Sequence, residues 1–363
     1  MSRERIAALE SRRVYNMRPE GCQESGRVAP RRFIPCNLQI SNHFWLLDPL
    51  TLCKSETYTQ QMTNRRLLVA ALCLLSCALA WPFSLSAQAI QRALYASALN
   101  EAGKPVPDLG PADFVVREDN AAREVLKVEP ALEPMQIALL VDNSQAAQND
   151  ISHMRTALPP FVAMLTGGGE DGVKNEVALI AIGERPTILT PGTSNRATLQ
   201  KGIDRIWSLH GSGAYLLDAI VEVSKGFKKR DARRPVIVSI GTEGPELSNL
   251  HRDQVLEALR ESGAAYHAIT LGTPSASLSD EIRNRNQVLD EGPRTTGGRR
   301  TELLTSMALG GALTQLADEL THQYRVTYAH PQSLIPPERV TVAAAKPGLT
   351  VRGTLIKTQS GRP

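Results

Sequence analysis

The sequence lacks cysteine over most of its length. All five cysteines precede residue 80 of the 363: Cys22, Cys36, Cys53, Cys73 and Cys77. Disulfide bonds, cysteine nucleophiles and thiolate zinc sites are therefore excluded from Ile90 onward.

The chain also lacks an excess of positive charge beyond its first 89 residues. Eleven of the 41 Lys and Arg residues and six of the 37 Asp and Glu residues precede Ile90, which leaves a net charge near −1 after it. A nucleic-acid-binding domain needs a clustered basic surface. The run Lys228–Arg230 with Arg233 and Arg234 is typical of a solvated helix end, where cations complement the helix dipole. We therefore expect no nucleic-acid partner.

Motifs of common nucleotide-binding and hydrolytic enzymes are missing as well. The chain has no G-x-S-x-G elbow and no G-x-x-x-x-G-K-[ST] loop. The segment Gly167–Gly172 fits G-x-G-x-x-G, but it precedes a strand, and its Glu170 and Asp171 would repel a pyrophosphate. We interpret it as a loop.

The apolar run Leu67–Ala80 is shorter than the roughly 20 residues that a membrane span needs. It follows Arg65-Arg66 and precedes Ala87-Gln88-Ala89, the pattern of a signal peptide. We therefore predict a signal peptide at 62–89, a non-native extension at 1–61, and a protein secreted or held in the periplasm or cell envelope. Two alternatives remain open, a retained signal anchor and a lipid on Cys77, and either one would bring the protein to a membrane.

From Met135 onward, predicted strands and helices alternate, which indicates a mostly parallel α/β sheet. The strands are predicted at Gln136–Val141, Glu176–Ile182, Pro235–Ile240, Ala265–Leu271 and Tyr324–Tyr328. The helices are predicted at Asp150–Leu165, Ala197–Trp207, Ala214–Phe227, Leu250–Ser262 and Leu309–His322. The fourth helix is expected to have Asn249 as its N-cap and Gly263 at its C-terminal end in the left-handed conformation. The polar stretch Thr273–Thr305 is interpreted as a long loop. The predicted domains are a β-rich leader at 90–134, an α/β domain at 135–330, and C-terminal strands with a tail at 331–363.

The most informative motif follows the first strand of the α/β domain. The buried run Ile137–Val141 delivers Asp142 and Ser144 to a loop, and ligand sites of open parallel sheets form where loops leave the carboxyl ends of strands. A carboxylate and a hydroxyl are oxygen ligands suited to Mg²⁺ or Ca²⁺. This Asp-x-Ser motif resembles the first metal-binding loop of the von Willebrand factor A (VWA) family. The leader, with Gly103-Lys104-Pro105, is similar to that of bacterial secreted "VWFA-related" proteins.

The resemblance implies a doubly wound, Rossmann-like sheet with helices on both faces and a metal site built from three loops. In this chain alanine replaces two of the five ligand positions, at Ala146 and Ala214, and Glu243 replaces an aspartate. The metal ligands carried over are thus Asp142, Ser144 and Glu243, and we expect the site to be weak or vestigial. No cofactor is expected beyond weakly bound Mg²⁺. Asp142 and Ser144 are also typical of helix caps and turns.

The function implied is a secreted, non-enzymatic protein-binding module of the adhesion type, with metal dependence weakened or lost. Its partner would be an unidentified protein, bound by a rim that includes His210, Tyr215 and Glu246, with Tyr215 exposing an aromatic ring. The alternative is a hydrolase with a remodelled pocket at the carboxyl ends of the strands, in which Ser144, His210 and Asp142 would act together.

Overall fold

The computed structural model describes residues 90–167, 174–273, 279–332, 337 and 339–356. All of these lie within one compact unit, Ser84–Pro363. The predicted extension at 1–61 and signal peptide at 62–89 lie outside the described residues. Among the helices that are described, none is long and apolar enough to cross a membrane.

The described chain has β-rich ends and a middle part in which strands and helices alternate. The strands are β1 Ile90–Leu99, β2 Phe114–Glu118, β3 Ala121–Arg123, β4 Val125–Pro130, β5 Gln136–Val141, β6 Glu176–Ala181, β7 Thr187–Thr193, β8 Pro235–Thr242, β9 Ala265–Leu271, β10 Arg300–Leu303, β11 Tyr324–His330, β12 Val340–Ala344 and β13 Thr350–Leu355. The helices are α1 Ile151–Thr166, α2 Arg196–Ile203, α3 Leu216–Arg230, α4 Arg252–Ser262, α5 Asp280–Thr296 and α6 Leu309–Thr321.

The central sheet has the strand order β10-β9-β8-β5-β6-β7. All neighbouring strands are parallel except the edge pair β6 and β7, which is antiparallel. Strand β5 lies in the middle, with Gln136 opposite Pro235 of β8 and Glu176 of β6. Its apolar residues are almost fully buried, because helices cover both faces of such a sheet.

The helices divide equally between the two faces of this sheet. Helices α1, α2 and α6 share a core with Leu139, whereas α3, α4 and α5 share a core with Leu140. Adjacent residues of a strand point to opposite faces, so β5 contributes to both cores. This arrangement confirms the predicted doubly wound α/β fold.

The stretch Thr273–Thr305 holds α5 and β10, so the prediction of a long loop was wrong. The Ser279 side chain caps the helix by accepting a hydrogen bond from the Ile282 amide. Buried residues then recur at helical spacing through Val288 and Leu289. The many polar residues of this segment, and Pro293 near its end, hid that stripe in the sequence.

Strand β11 was predicted to belong to the parallel sheet, and this too was wrong. It pairs antiparallel with β1 and β4 in a second sheet of order β13-β1-β11-β4. A third sheet, β12-β2-β3, shares an apolar core with it that includes Leu94, Phe114 and Tyr328. The β-rich leader and the C-terminal strands thus form one small structure, the β-module.

The two capping residues predicted for α4 have different outcomes. Gly263 has the left-handed conformation predicted for it, with φ 67°, which glycine adopts without strain. At the other end the cap is His251 instead of the expected Asn249, because the His251 side chain accepts a bond from the Asp253 amide.

Candidate functional site at the carboxyl edge of the sheet

Asp142 lies directly after β5, at the edge where the parallel strands end. Its side chain is buried, and its Oδ1 accepts a hydrogen bond from the Ser144 amide at 2.8 Å. Its Oδ2 accepts from the Thr242 amide at 3.0 Å and from Thr242 Oγ1 at 2.5 Å. Buried carboxylates need such partners. The aspartate therefore joins the end of β5 to the end of β8.

Ser144 begins the short turn Gln145–Ala147 and is also buried. Its carbonyl accepts a hydrogen bond from Ser208 Oγ at 3.2 Å, so the second loop, 204–215, contacts the first loop, 142–150. Its own Oγ has no hydrogen-bond partner among the described residues. This hydroxyl is thus buried and is not used by the described part of the chain.

The two alanines at the implied ligand positions are packed against neighbouring backbone. A methyl group added at Gly244 would lie 2.4 Å from Ala146 Cβ, so the first and third loops are in contact. Ala214 is buried, donates to the Pro245 carbonyl at 2.9 Å and accepts from the Leu247 amide at 2.8 Å. These contacts join the first loop, 142–150, the second loop, 204–215, and the third loop, 242–248. We call the three loops together the loop edge.

Glu243 is held from the opposite side by a helix. Its Oε2 accepts a hydrogen bond from Arg285 Nη2 of α5 at 2.8 Å, and the two side chains are only 8% and 3% exposed. Arg285 Nη1 also donates to the Gly244 carbonyl at 2.8 Å. The carboxylate that would have to reach a metal ion is thus paired with a guanidinium.

These residues do not make a complete ligand set for a resident divalent ion. Asp142 uses both oxygens within the protein, Glu243 faces Arg285, and of the implied ligands Ser144 Oγ alone has no such partner among the described residues. In the part of the chain that the structure describes, no group of three or more His, Cys, Asp or Glu residues could hold a metal ion.

The family model described as "von Willebrand factor type A domain" matches residues 137–243. These limits begin in β5 and end at Glu243, so the match spans the first and third loops of the edge. Over these residues the α/β domain matches the VWA family. No curated protein sequence matches the chain.

Solved structures similar to the chain include proximal thread matrix protein 1 from the mussel byssus, at 14% identity over 53% of this chain and 50% of that one, with a TM-score of 0.42. A von Willebrand factor type A protein from Catenulispora acidiphila matches at 10% identity over 77% and 76%, with a TM-score of 0.41. The vWF domain of the type V pili tip protein Mfa5 from Porphyromonas gingivalis matches at 11% identity over 52% and 96%, also at 0.41. The chain spans about half the length of the mussel protein.

The residues expected at the rim of the VWA domain differ in exposure. His210 is exposed, and Tyr215, the residue before α3, is half-buried, with its amide bonded to the Ile182 carbonyl. Glu246 is only 3% exposed, and its Oε1 accepts from the Ser248 amide at 3.2 Å. Its side chain therefore lies beneath the surface, because the chain folds back there to pair with Ala214.

Burial changes the ionisation of two carboxyls beneath the loop edge. It raises the pKa of Glu246 to about 7, while Ser248 and Arg285 oppose this shift. Burial also raises the pKa of Asp218, in the first turn of α3. Desolvation favours the neutral form of a carboxyl.

Trp207 is the surface residue that sequence analysis missed as a candidate, since it was placed at the end of a helix. Its side chain is 62% exposed, and its carbonyl accepts a hydrogen bond from Asn143 Nδ2 at 3.0 Å. The Arg155 guanidinium lies 4.4 Å from the centre of its ring. Leu247 of the third loop is also exposed, at 47%. A tryptophan at the last position of a predicted helix was the available signal.

The three residues of the hydrolase alternative are not arranged as a catalytic group. Asp142 bonds to Thr242 and to the Ser144 amide, and His210 is exposed. Among the described residues, no histidine is hydrogen-bonded to Ser144 Oγ, whereas nucleophilic catalysis by serine needs an adjacent base.

Proposed function

We propose that this protein is exported and that its VWA domain binds a protein ligand at the loop edge without catalysing a reaction. The observation that carries the proposal is the exposed Trp207, held by Arg155 beside the first loop. Tryptophan and arginine dominate the binding energy of many protein interfaces. The signal-peptide pattern before Ile90 supports export.

We also propose that binding does not depend on a metal ion. The support is that Asp142 and Glu243 already have hydrogen-bond partners within the protein and that Ala146 and Ala214 supply no oxygen ligand. Mg²⁺ requires near-ideal octahedral geometry, and this donor set offers few fixed ligands for it.

The test is capture of a partner with the protein in EDTA and in Mg²⁺, followed by affinity measurements with Trp207→Ala. We expect this variant to bind the captured partner at least about tenfold more weakly. Met164→Ala is the matched control, because Met164 is a comparable exposed apolar residue, 40% exposed, near the far end of α1. Equal affinity of Trp207→Ala and the parent would place the interface elsewhere.

A hydrolase would be recognised by turnover of ester or peptide substrates that is lost in Ser144→Ala. The proposal predicts no turnover by the parent protein. If the parent shows activity and Ser144→Ala does not, the hydrolase alternative replaces the binding function.

A further inference from the structure

Arg285 brings a permanent positive charge beneath the loop edge. It lies on the buried stripe of α5, and its side chain is only 3% exposed. An arginine side chain stays protonated under all working conditions in proteins. The loop edge therefore contains a fixed cation supplied by the chain itself.

The guanidinium holds two consecutive residues of the third loop. Nη2 donates to Glu243 Oε2 and Nη1 donates to the Gly244 carbonyl, each at 2.8 Å. The planar fork of arginine can serve two acceptors at fixed directions, which a lysine ammonium does less well. Side chain and backbone of this loop are thus fixed by one group.

Residues 242–244 of the third loop also contact the first loop, on the side away from α5. Thr242 donates twice to Asp142, and Gly244 lies directly against Ala146. The segment 242–244 is consequently held between the first loop and α5. Its position depends on a charge that neutralises Glu243.

We propose that Arg285 is a built-in cation that does the work of a bound divalent ion at this edge: it neutralises Glu243 and fixes segment 242–244 against the first loop. The proposal rests on the metal independence proposed above and is independent of which partner binds. A divalent ion at Glu243 would lie close to the guanidinium, and like charges repel strongly in a buried site. Arginine and metal ion therefore exclude one another.

The test is the thermal stability of Arg285→Gln in EDTA and in about 10 mM Mg²⁺ or Ca²⁺ at matched ionic strength. Removing the arginine takes its counter-charge away from the buried Glu243 side chain, so the melting temperature in EDTA should fall by on the order of 10 °C. Divalent ions should restore several degrees of this loss. The parent protein should differ by less than about 1 °C between the two conditions.

Two further variants separate charge from general damage. Arg234→Gln removes another arginine that is 3% exposed, but one that hydrogen-bonds carbonyl and amide oxygens. It should be destabilised without recovery in divalent ions. The double variant Arg285→Gln/Glu243→Gln removes both charges of this pair, so it should be more stable than Arg285→Gln and indifferent to the ions.

The outcomes separate this proposal from the function proposed above. Strong stabilisation of the parent by Mg²⁺ would show that metal independence is wrong, and the built-in cation with it. If divalent ions change the melting temperature of neither the parent nor Arg285→Gln, the built-in-cation proposal is wrong, while metal independence stands. If Arg285→Gln does not fold in EDTA, its refolding yield becomes the readout: a yield raised by divalent ions supports the proposal, and an unchanged yield overturns it.

Discussion

The two ends of the parallel sheet each contain a buried arginine, but the two arginines have different surroundings. At the loop edge Arg285 binds one carboxylate and one carbonyl of a single loop. At the opposite end, Arg234 precedes β8 and lies 4.8 Å from the Tyr95 ring of the β-module. Arg234 donates, at 2.8–3.1 Å, to the carbonyls of Ala131, Glu133 and Leu320 and to Gln323 Oε1.

This contrast separates the proposed binding surface at the loop edge from a junction, the set of Arg234 contacts between the α/β domain and the β-module. Arg285 positions a loop that reaches solvent, so changes there should alter what the loop edge binds. Arg234 connects the segment before β5, the end of α6 and, through Gln323 and its bond to Ser97, strand β1. Changes at the junction should lower stability and leave the affinity for a partner of the folded protein unchanged.

The largest effect is expected from Arg234→Ala. Three buried acceptors and one half-buried carbonyl would lose their donor, and each unsatisfied buried group costs about 1–3 kcal/mol. We expect the free energy of unfolding to fall by about 4 kcal/mol or more, measured by urea denaturation. The adjacent Arg233 is exposed, so Arg233→Ala should change stability by less than about 0.5 kcal/mol. Equal effects of the two substitutions would contradict the junction role.

A second effect expected at the junction is a loss of stability at acidic pH. His267 of β9 is 1% exposed, neither ring nitrogen has a hydrogen-bond partner among the described residues, and burial lowers its pKa to about 4. Glu319 opposes this shift, whereas Arg352 and Arg299 add to it. Because protonation then favours the unfolded chain, stability should be lost as the pH falls from about 6.5 to 4, by about 3 kcal/mol.

The measurement is the free energy of unfolding of His267→Leu between pH 7 and pH 4.5. Its loss of stability over this range should be smaller than that of the parent, because the neutral side chain takes up no proton. His322 has a side chain that is 61% exposed, and His322→Gln is expected to keep the acid dependence of the parent. A slope unchanged in His267→Leu would assign the acid sensitivity to other groups.

The α/β fold was predictable because its strands are short, continuous apolar runs. Strands β5 and β9 have the limits that the sequence predicted, Gln136–Val141 and Ala265–Leu271. The pairing of β11 was not predictable in the same way. Its residues alternate between buried and half-buried, which identifies a strand but not the sheet that receives it.

The candidate site was predictable only in part, for a related reason. Asp142 and Ser144 could be located because the motif follows a recognisable strand. The partner of Glu243 could not, because Arg285 lies 42 residues away in a helix whose apolar stripe is sparse. The exposure of the rim residues could not be predicted either. Glu246 has an ionisable side chain, which is typical of the surface, but it is buried in the structure.

The smallest of these effects should come from Glu246→Gln, and it should have the opposite dependence on pH. The pKa of Glu246 is raised to about 7 from 4.5, so the favourable contribution of the protonated form is complete below about pH 4.5 and is lost as the pH rises through 7. A glutamine stays neutral, and the variant should be more stable than the parent by about 2 kcal/mol at pH 8.5 and by little at pH 5.

The exposed Glu222 gives the control Glu222→Gln, for which no such difference is expected. Denaturation at the two pH values measures both variants. A gain that is the same at pH 5 and pH 8.5 would mean that Glu246 does not titrate in this range, and the contrast between an acid-sensitive junction and an alkali-sensitive loop edge would fail.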